Sequence, residues 1–333
     1  MNSALIYVAS PLQAISAIEA IAKYKIGFYR LIVLDDGTPR QKQIENFLIS
    51  RNIKFEVLSL EKEIGSIFSH FVNLVRISSV RYDYLFIGDY RNIALKMNHL
   101  KDLKTGGKII YLDDGNFIII LLKNRYKTSS WTKFNYLISD LFVRLKKITD
   151  YVFFTIYDDI PNNRYCVETN QMAFCSLPCS KCDNTIYIIG TYIPLYCKNL
   201  GVSKDMFLKC YINLVYSIKS RYVDKNIIYI PHGRDTTQEI KKISETLGVQ
   251  YMILEKCVEL YFIENNIYPF ALYGFGSAAL FTLKKIYPML VVYNVFYGGN
   301  SEQAMTEYQE LNNYYAKHGI VLINDISLCQ NMV

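Results

Sequence analysis

The sequence predicts an α/β protein made of two doubly wound units in series. Three observations predict it. Short apolar runs alternate with helix-patterned segments along most of the chain, which implies mostly parallel sheets with crossover helices. The 333 residues are about twice the length of a common domain. Apolar residues make up 51% and charged residues 20%, enough to build sizeable cores and too apolar for a disordered chain.

Taken in order, residues 5–9 read as a buried strand, and Ser10-Pro11 opens a helix to about Tyr24, with proline in the first turn where it is tolerated. Strands follow at 31–34, 54–58, 84–87 and 108–112, separated by helices at 41–51, 64–80 and 92–103. A helix pattern over 131–148 places Trp131, Phe134, Ile138, Leu141, Phe142, Leu145 and Ile148 on one face. After a turn at 158–163, a second unit has strands at 185–189, 227–230, 251–254, 271–273, 290–293 and 320–323. Its helices fall at 203–222, 237–247, 258–264, 277–285 and 301–317. The expected division is 1–160 and 161–333, with the last helix free to return to the first unit. Two such units make a cleft between them, the default ligand site.

The net charge of +7 is local. Seven basic residues lie between Lys123 and Lys147 (Lys123, Arg125, Lys127, Lys133, Arg144, Lys146, Lys147) with one acid, Asp140, among them. The rest of the chain is close to neutral, which excludes a nucleic-acid-binding surface spread over the protein. Two readings of 123–147 stand: a core-facing helix with a solvated basic edge, or contact with an anionic membrane surface or lipid-linked acceptor. No apolar run approaches the ~18 residues of a spanning helix, and no basic stretch precedes the first strand, so the expectation is a soluble cytoplasmic protein.

Eight cysteines are present, most beside apolar residues as buried free thiols are. Cys175, Cys179 and Cys182 have the spacing of a three-cysteine cluster site, but no histidine is near enough in sequence to supply a fourth ligand. An inter-domain loop with free thiols is the favoured reading, and a metal-cluster protein the alternative.

Three constellations can carry chemistry. Asp113-Asp114-Gly115 follows the strand at 108–112. Adjacent carboxylates raise one another's pKa, which suits a general base, whereas a solvated turn is the plain alternative. Leu34-Asp35-Asp36-Gly37 repeats the same Asp-Asp-Gly tripeptide, so the tripeptide alone decides nothing. Pro231-His232-Gly233-Arg234 follows the strand at 227–230. Histidine donates protons near neutral pH, and arginine's planar fork suits phosphate. Gly274-Phe275-Gly276-Ser277-Ala278-Ala279 is a strand–turn–helix junction whose free amides and hydroxyl can hold an anion, or simply a tight packing turn. Gly190-Thr191 is a weaker turn of the same kind, and Glu255 follows the strand at 251–254 as a further candidate ligand residue.

In this order the motifs resemble bacterial sialyltransferases of the GT-B type, with glycosyltransferase family 52, the lipooligosaccharide group, the nearest likeness and polysialyltransferases as cousins. Ser10-Pro11-Leu12-Gln13 is similar to the family's first strand–helix turn. Asp113-Asp114-Gly115 is similar to its acidic motif, Pro231-His232-Gly233-Arg234 to its Pro-His-Pro-Arg motif, and Gly276-Ser277-Ala278 to its serine motif. Lys317-His318-Gly319-Ile320 also follows the pattern. Two departures are Gly233 in place of proline and a single serine at Ser277. Gly190-Thr191 also lacks the acid that some members carry there.

The resemblance implies two Rossmann-like domains facing a cleft. It implies transfer of sialic acid from CMP-sialic acid to a hydroxyl of a bacterial surface glycan, with inversion and without metal or bound cofactor. It assigns Asp113 as the base with Asp114 in support, and His232 as the acid toward the departing phosphate. Ser277, Gly276, Ala278, Arg234, Gly233, Gly190, Thr191, Glu255, Ser10 and Gln13 would line the substrates. A homodimer is compatible with it, and a donor other than CMP-sialic acid is the alternative.

Overall fold

The computed structural model describes residues 1–35, 37–38, 40–59, 80–123, 129–157, 159–160, 164–173, 182–235, 237–296 and 302–323. The chain divides into two compact units, Met1–Phe174 and Cys175–Val333.

In the first unit the described elements are β1 (Asn2–Val8), α1 (Pro11–Lys23), β2 (Ile26–Asp35), α2 (Arg40–Ser50), β3 (Glu56–Ser59), β4 (Tyr82–Ile87), α3 (Ile93–His99), β5 (Leu103–Tyr111), α4 (Phe117–Leu122), α5 (Ser130–Leu145), β6 (Thr149–Thr155) and β7 (Cys166–Thr169). The sheet order is β3-β2-β1-β4-β5-β6-β7, and its strand pairs are parallel. The order reverses beside β1, so the connections that leave β1 and β4 diverge at a switch point. The central strands are buried on both faces, which is why they read as unbroken apolar runs: Ala4 to Val8 and Leu85 to Ile87 are out of solvent. Ser10 caps α1 by accepting the Gln13 N–H at 3.2 Å, and Pro11 fills the first turn.

The second unit contains β8 (Thr185–Ile189), α6 (Ile193–Leu200), α7 (Lys204–Arg221), β9 (Asn226–Ile230), α8 (Gln238–Thr246), β10 (Gln250–Tyr251), α9 (Val258–Glu264), β11 (Ala271–Gly274), α10 (Ala278–Ile286), β12 (Val292–Val295), α11 (Glu302–Lys317) and β13 (Val321–Ile323). Its order, β10-β9-β8-β11-β12-β13, is again parallel and reverses beside β8. Helix α6 ends at Gly201, whose φ of 66° gives the left-handed cap that its following Val202 N–H to Cys197 carbonyl bond requires. The core packs Tyr196, Phe207, Tyr211 and Phe275 against β8, β9 and β11.

Several elements differ from the sequence expectation. The first sheet gains β6 and β7, which carries it past the expected division at 160/161 to Phe174. The expected helix at 92–103 is α-helical over Ile93–His99 and tightens to a 3-10 turn over Leu100–Asp102, because Leu103 already pairs with Tyr82. Helices α4 and α6 were not foreseen; each is only a few residues long, too short for a periodic signal. The expected helix at 64–80 lies outside the described residues except for Val80.

The largest difference concerns α5. Its expected core face is split: Phe134, Leu141 and Leu145 are exposed, Ile138 and Phe142 are half-buried, and Ile148, beyond the helix, is buried. The buried side of the helix carries Ser139 and Val143, and the Tyr136 ring stacks on Tyr90 at 5.3 Å. Among the described residues no helix is long and apolar enough to cross a membrane.

Candidate functional site

The sequence-predicted residues gather at the carboxyl edges of the two sheets, one group in each unit. In the first unit Asp113 and Asp114 follow β5, yet their environments are opposite. Asp113 is wholly buried. Its Oδ1 accepts hydrogen bonds from the Thr155 hydroxyl and from the Ile156 N–H at 3.1 Å; its Oδ2 accepts from the Asn170 amide at 3.0 Å. Thr155 ends β6 and Asn170 follows β7. The residue that the sequence favours as base is therefore a clasp binding three neighbouring strand ends.

Asp114 is the partly exposed neighbour, its side chain 16% accessible. Oδ1 accepts from the Gln13 amide at 2.9 Å, and Oδ2 from the Arg91 guanidinium at 2.8 Å. Arg91 also forks onto Asp89, at 2.9 and 3.0 Å, and lies over the Phe117 ring at 4.3 Å. Desolvation pushes the Asp114 carboxyl up to about 7, with the nearby Asp89 charge adding to the rise and Arg91 and Gln13 opposing it. A carboxyl with that pKa is half ionised near neutrality, as a general base needs to be.

Gln13 is held on every side. Its Oε1 accepts the Ala9 N–H at 2.7 Å, and its amide donates both to Asp114 and to the Gly88 carbonyl at 2.9 Å. This joins β1, β4 and the aspartate loop across the switch point. Gly88 must lack a side chain, because a Cβ there would lie 2.1 Å from Gln13 Oε1. Ser10 serves as the α1 cap, so both residues of the Ser10-Pro11-Leu12-Gln13 motif act on the protein itself. The repeat at Asp35 is a local turn: its Oδ1 accepts the Gly37 N–H at 2.8 Å, and Asp36 lies outside the described residues.

In the second unit the ends of β9, β8 and β11 lie side by side and bring together His232, Gly190 and the serine turn. The Arg234 N–H donates to His232 Nδ1 at 3.1 Å, so the neutral ring carries its proton on Nε2. Gly190 sits so near this loop that a Cβ would be 2.5 Å from the Tyr229 hydroxyl and 3.1 Å from the His232 nitrogen. Gly233, Arg234 and Thr191 are half-buried around it, whereas Glu255 is exposed and stands after the short β10. Among the described residues no hydrogen bond or ion pair joins Glu255 to the others.

The serine turn is pinned from below. Gly276, at φ +64°, donates its N–H to Asn294 Oδ1 at 2.8 Å, and the Asn294 amide donates to Asn312 Oδ1 at 2.9 Å. The Tyr315 hydroxyl donates to the Ser277 carbonyl at 2.9 Å. Ser277 is the α10 N-cap residue, yet its side chain makes no capping bond. The first turn of α10, beginning at the half-exposed Ala278, therefore presents backbone donors suited to an anion.

Asn170, Asn294, Asn312, Asp89 and Arg91 were missed by sequence reasoning. The available signals were an asparagine inside or directly after an apolar strand, as in Val292–Val295 and Cys166–Thr169, and the Gly88-Asp89-Tyr90-Arg91 turn after β4. Of the cysteine trio, Cys175 and Cys179 lie outside the described residues; Cys182 is exposed. Among the described residues no three metal-ligating side chains cluster.

By sequence, the chain matches no protein-family model and no curated protein. By structure it is similar over its whole length to solved sugar-nucleotide and glycan enzymes. The α/β-galactoside α-2,3-sialyltransferase of Photobacterium phosphoreum superposes with a TM-score of 0.54 at 12% identity, covering 100% of both chains. The putative UDP-N-acetylglucosamine 2-epimerase of Listeria monocytogenes gives 0.56 at 11% identity, covering 99% of this chain and 94% of that one. S. aureus MnaA, solved with UDP, gives 0.54 at 9%, covering 100% and 95%. These likenesses define the fold class: two parallel-sheet Rossmann-like domains of the GT-B kind.

Two outcomes follow from the aspartate geometry. Asp113→Ala strands three donors in the core and is expected to cost about 3 kcal/mol or more of stability in urea unfolding. Asp114 should give the opposite signature. Its folded pKa of about 7 lies above the usual carboxylate value, so the native state binds its proton more tightly than the unfolded chain. Its contribution is full below about pH 4 and is lost as pH rises through about 7, on the order of a few kcal/mol. Asp114→Asn should remove that slope, read as unfolding free energy at a series of pH values.

Proposed function

We propose that the protein is an inverting sialyltransferase that moves sialic acid from CMP-sialic acid to a hydroxyl of a bacterial surface glycan, lipooligosaccharide or capsular polysaccharide, and that it is related to glycosyltransferase family 52. The observation that carries the reading is Asp114. It is a partly exposed carboxylate with a pKa near 7, oriented by Gln13 and Arg91 at the carboxyl edge of a Rossmann-like sheet. The likeness of the whole fold to a bacterial sialyltransferase supports it.

In this proposal the first unit serves the acceptor and the second the donor. Asp114 takes the proton of the acceptor hydroxyl as that oxygen bonds to the sialyl carbon. Asp113 holds the loop from beneath instead of serving as base. The bond from sialic acid to the CMP phosphate oxygen breaks, its electrons pass to the phosphate, and His232 Nε2–H donates to that oxygen. Ser277, the amides of Gly276 and Ala278, and Arg234 receive the phosphate; Gly233, Gly190 and Thr191 shape the turns around it. A nucleoside monophosphate leaves with little charge to neutralise, so neither a metal nor a bound cofactor is needed. The enzyme would act in the cytoplasm, on an acceptor that includes lipid-linked glycans, as a homodimer or a single chain.

The epimerase neighbours favour one other reading, an enzyme for a UDP-linked sugar on the same scaffold. Thermal shift against CMP, UDP and GDP separates the two: stabilisation by CMP is expected, and stabilisation by UDP alone rejects the sialyl donor.

Turnover is read as CMP release from CMP-sialic acid with lactose- and sialoside-terminated acceptors, and should be insensitive to EDTA. His232→Ala and Asp114→Asn are each expected to lower it by about 10²–10⁴-fold. The kcat/KM of the wild type should rise with pH through about 7, as the carboxyl ionises, and Asp114→Asn should flatten that limb. Near-normal turnover in either variant would reject its assigned role.

A further inference from the structure

Helix α5 presents an apolar stripe to solvent. Phe134, Leu137, Leu141 and Leu145 are 49%, 68%, 56% and 70% exposed. At 100° per residue they span an arc of about 80°. The opposite side carries Tyr136, Ser139 and Val143, the residues that face the unit. The helix is thus amphipathic with its long apolar side chains outward, the reverse of a core-facing helix.

The charge beside the stripe has one sign. Lys133 and Arg144 fall along one edge of the stripe, and Lys147 follows the helix; all three are exposed. The helix has one acid, Asp140, which lies near the buried Lys96 amine at 3.8 Å and is half-buried. Sixteen residues of helix make a rod about 24 Å long. It carries leucine and phenylalanine on one face and lysine and arginine at its edge.

We infer that α5 is an in-plane anchor that docks on an anionic lipid surface. The stripe enters the boundary between headgroups and acyl chains, and Lys133, Arg144 and Lys147 meet the lipid phosphates. A second copy of this chain would have to offer an acidic rim to the same edge, whereas an anionic bilayer supplies both partners, apolar and negative, in one plane. This inference stands on the helix alone and survives or fails independently of the donor and the reaction.

The experiment is co-sedimentation of the full chain with vesicles of phosphatidylcholine, and of phosphatidylcholine with about 30 mol% phosphatidylglycerol. The protein is expected to bind the anionic vesicles at least about tenfold more tightly, and less so as salt rises. Replacing Leu137→Ser, Leu141→Ser and Leu145→Ser together should lower that binding at least about tenfold. The fold should survive with only a small drop in melting temperature, since these side chains are mostly exposed and serine costs only a little helix propensity at each site. Replacing Lys133→Gln and Arg144→Gln should cost about fivefold per charge on anionic vesicles only.

Wild-type protein left in the supernatant, or a serine variant that sediments like wild type, overturns the inference. So does a concentration-dependent dimer that the serine variant abolishes and that binds no vesicle, which would assign the face to a second copy.

Discussion

A parallel sheet puts all its carboxyl strand ends on one edge, and each crossover helix must carry the chain back before the next strand can begin. Both units of this protein are built under that constraint, and both reverse their strand order beside their first strand. The loops that leave those ends cannot pair with the sheet, so they are where irregular backbone and polar side chains collect. Asp113-Asp114, His232 and the Ser277 turn all stand in such loops, although they are separated by more than a hundred residues of sequence between the first and the last.

Loops at a strand edge need fixing, and the two units use the same device. A buried polar side chain ties the loop to a neighbouring strand from below. Asp113 accepts from the ends of β6 and β7, and Asn294 accepts from the glycine turn after β11. Each of these groups is out of solvent, so leaving its partner unpaired costs more than the bond itself gains. The grip therefore sets one loop conformation and leaves the adjacent residue, Asp114 or Ser277, toward solvent. Gln13 completes the first unit's clasp and fits only because Gly88 has no side chain.

Charge is distributed in keeping with this division. The acids and the arginine near Asp114 are engaged with one another, and the pKa of Asp114 is the balance of burial and Asp89 against Arg91 and Gln13. The surplus of positive charge lies elsewhere, along and just beyond α5, next to exposed leucines. The edge that carries the candidate chemistry and the face that carries the surplus charge are thus made by different elements of the first unit.

The sequence by itself determined the two-unit α/β architecture, because apolar runs at strand length and capped helices are local properties. It also located the motif loops, since Ser10-Pro11, Pro231-His232 and Gly276-Ser277 are punctuation that any chain must place at element ends. The division at Phe174 was not legible, because β6 and β7 are recognisable as strands only when β5 is there to pair with them. Nor does sequence tell which of Asp113 and Asp114, adjacent and chemically identical, is buried. That is set by Thr155 and Asn170, 42 and 57 residues away, which reach one carboxylate and not the other. The same holds for α5, whose apolar stripe is visible in sequence while its outward direction is not. Periodicity shows that a helix has two faces; only packing against Tyr90 and its neighbours decides which of them is turned to water.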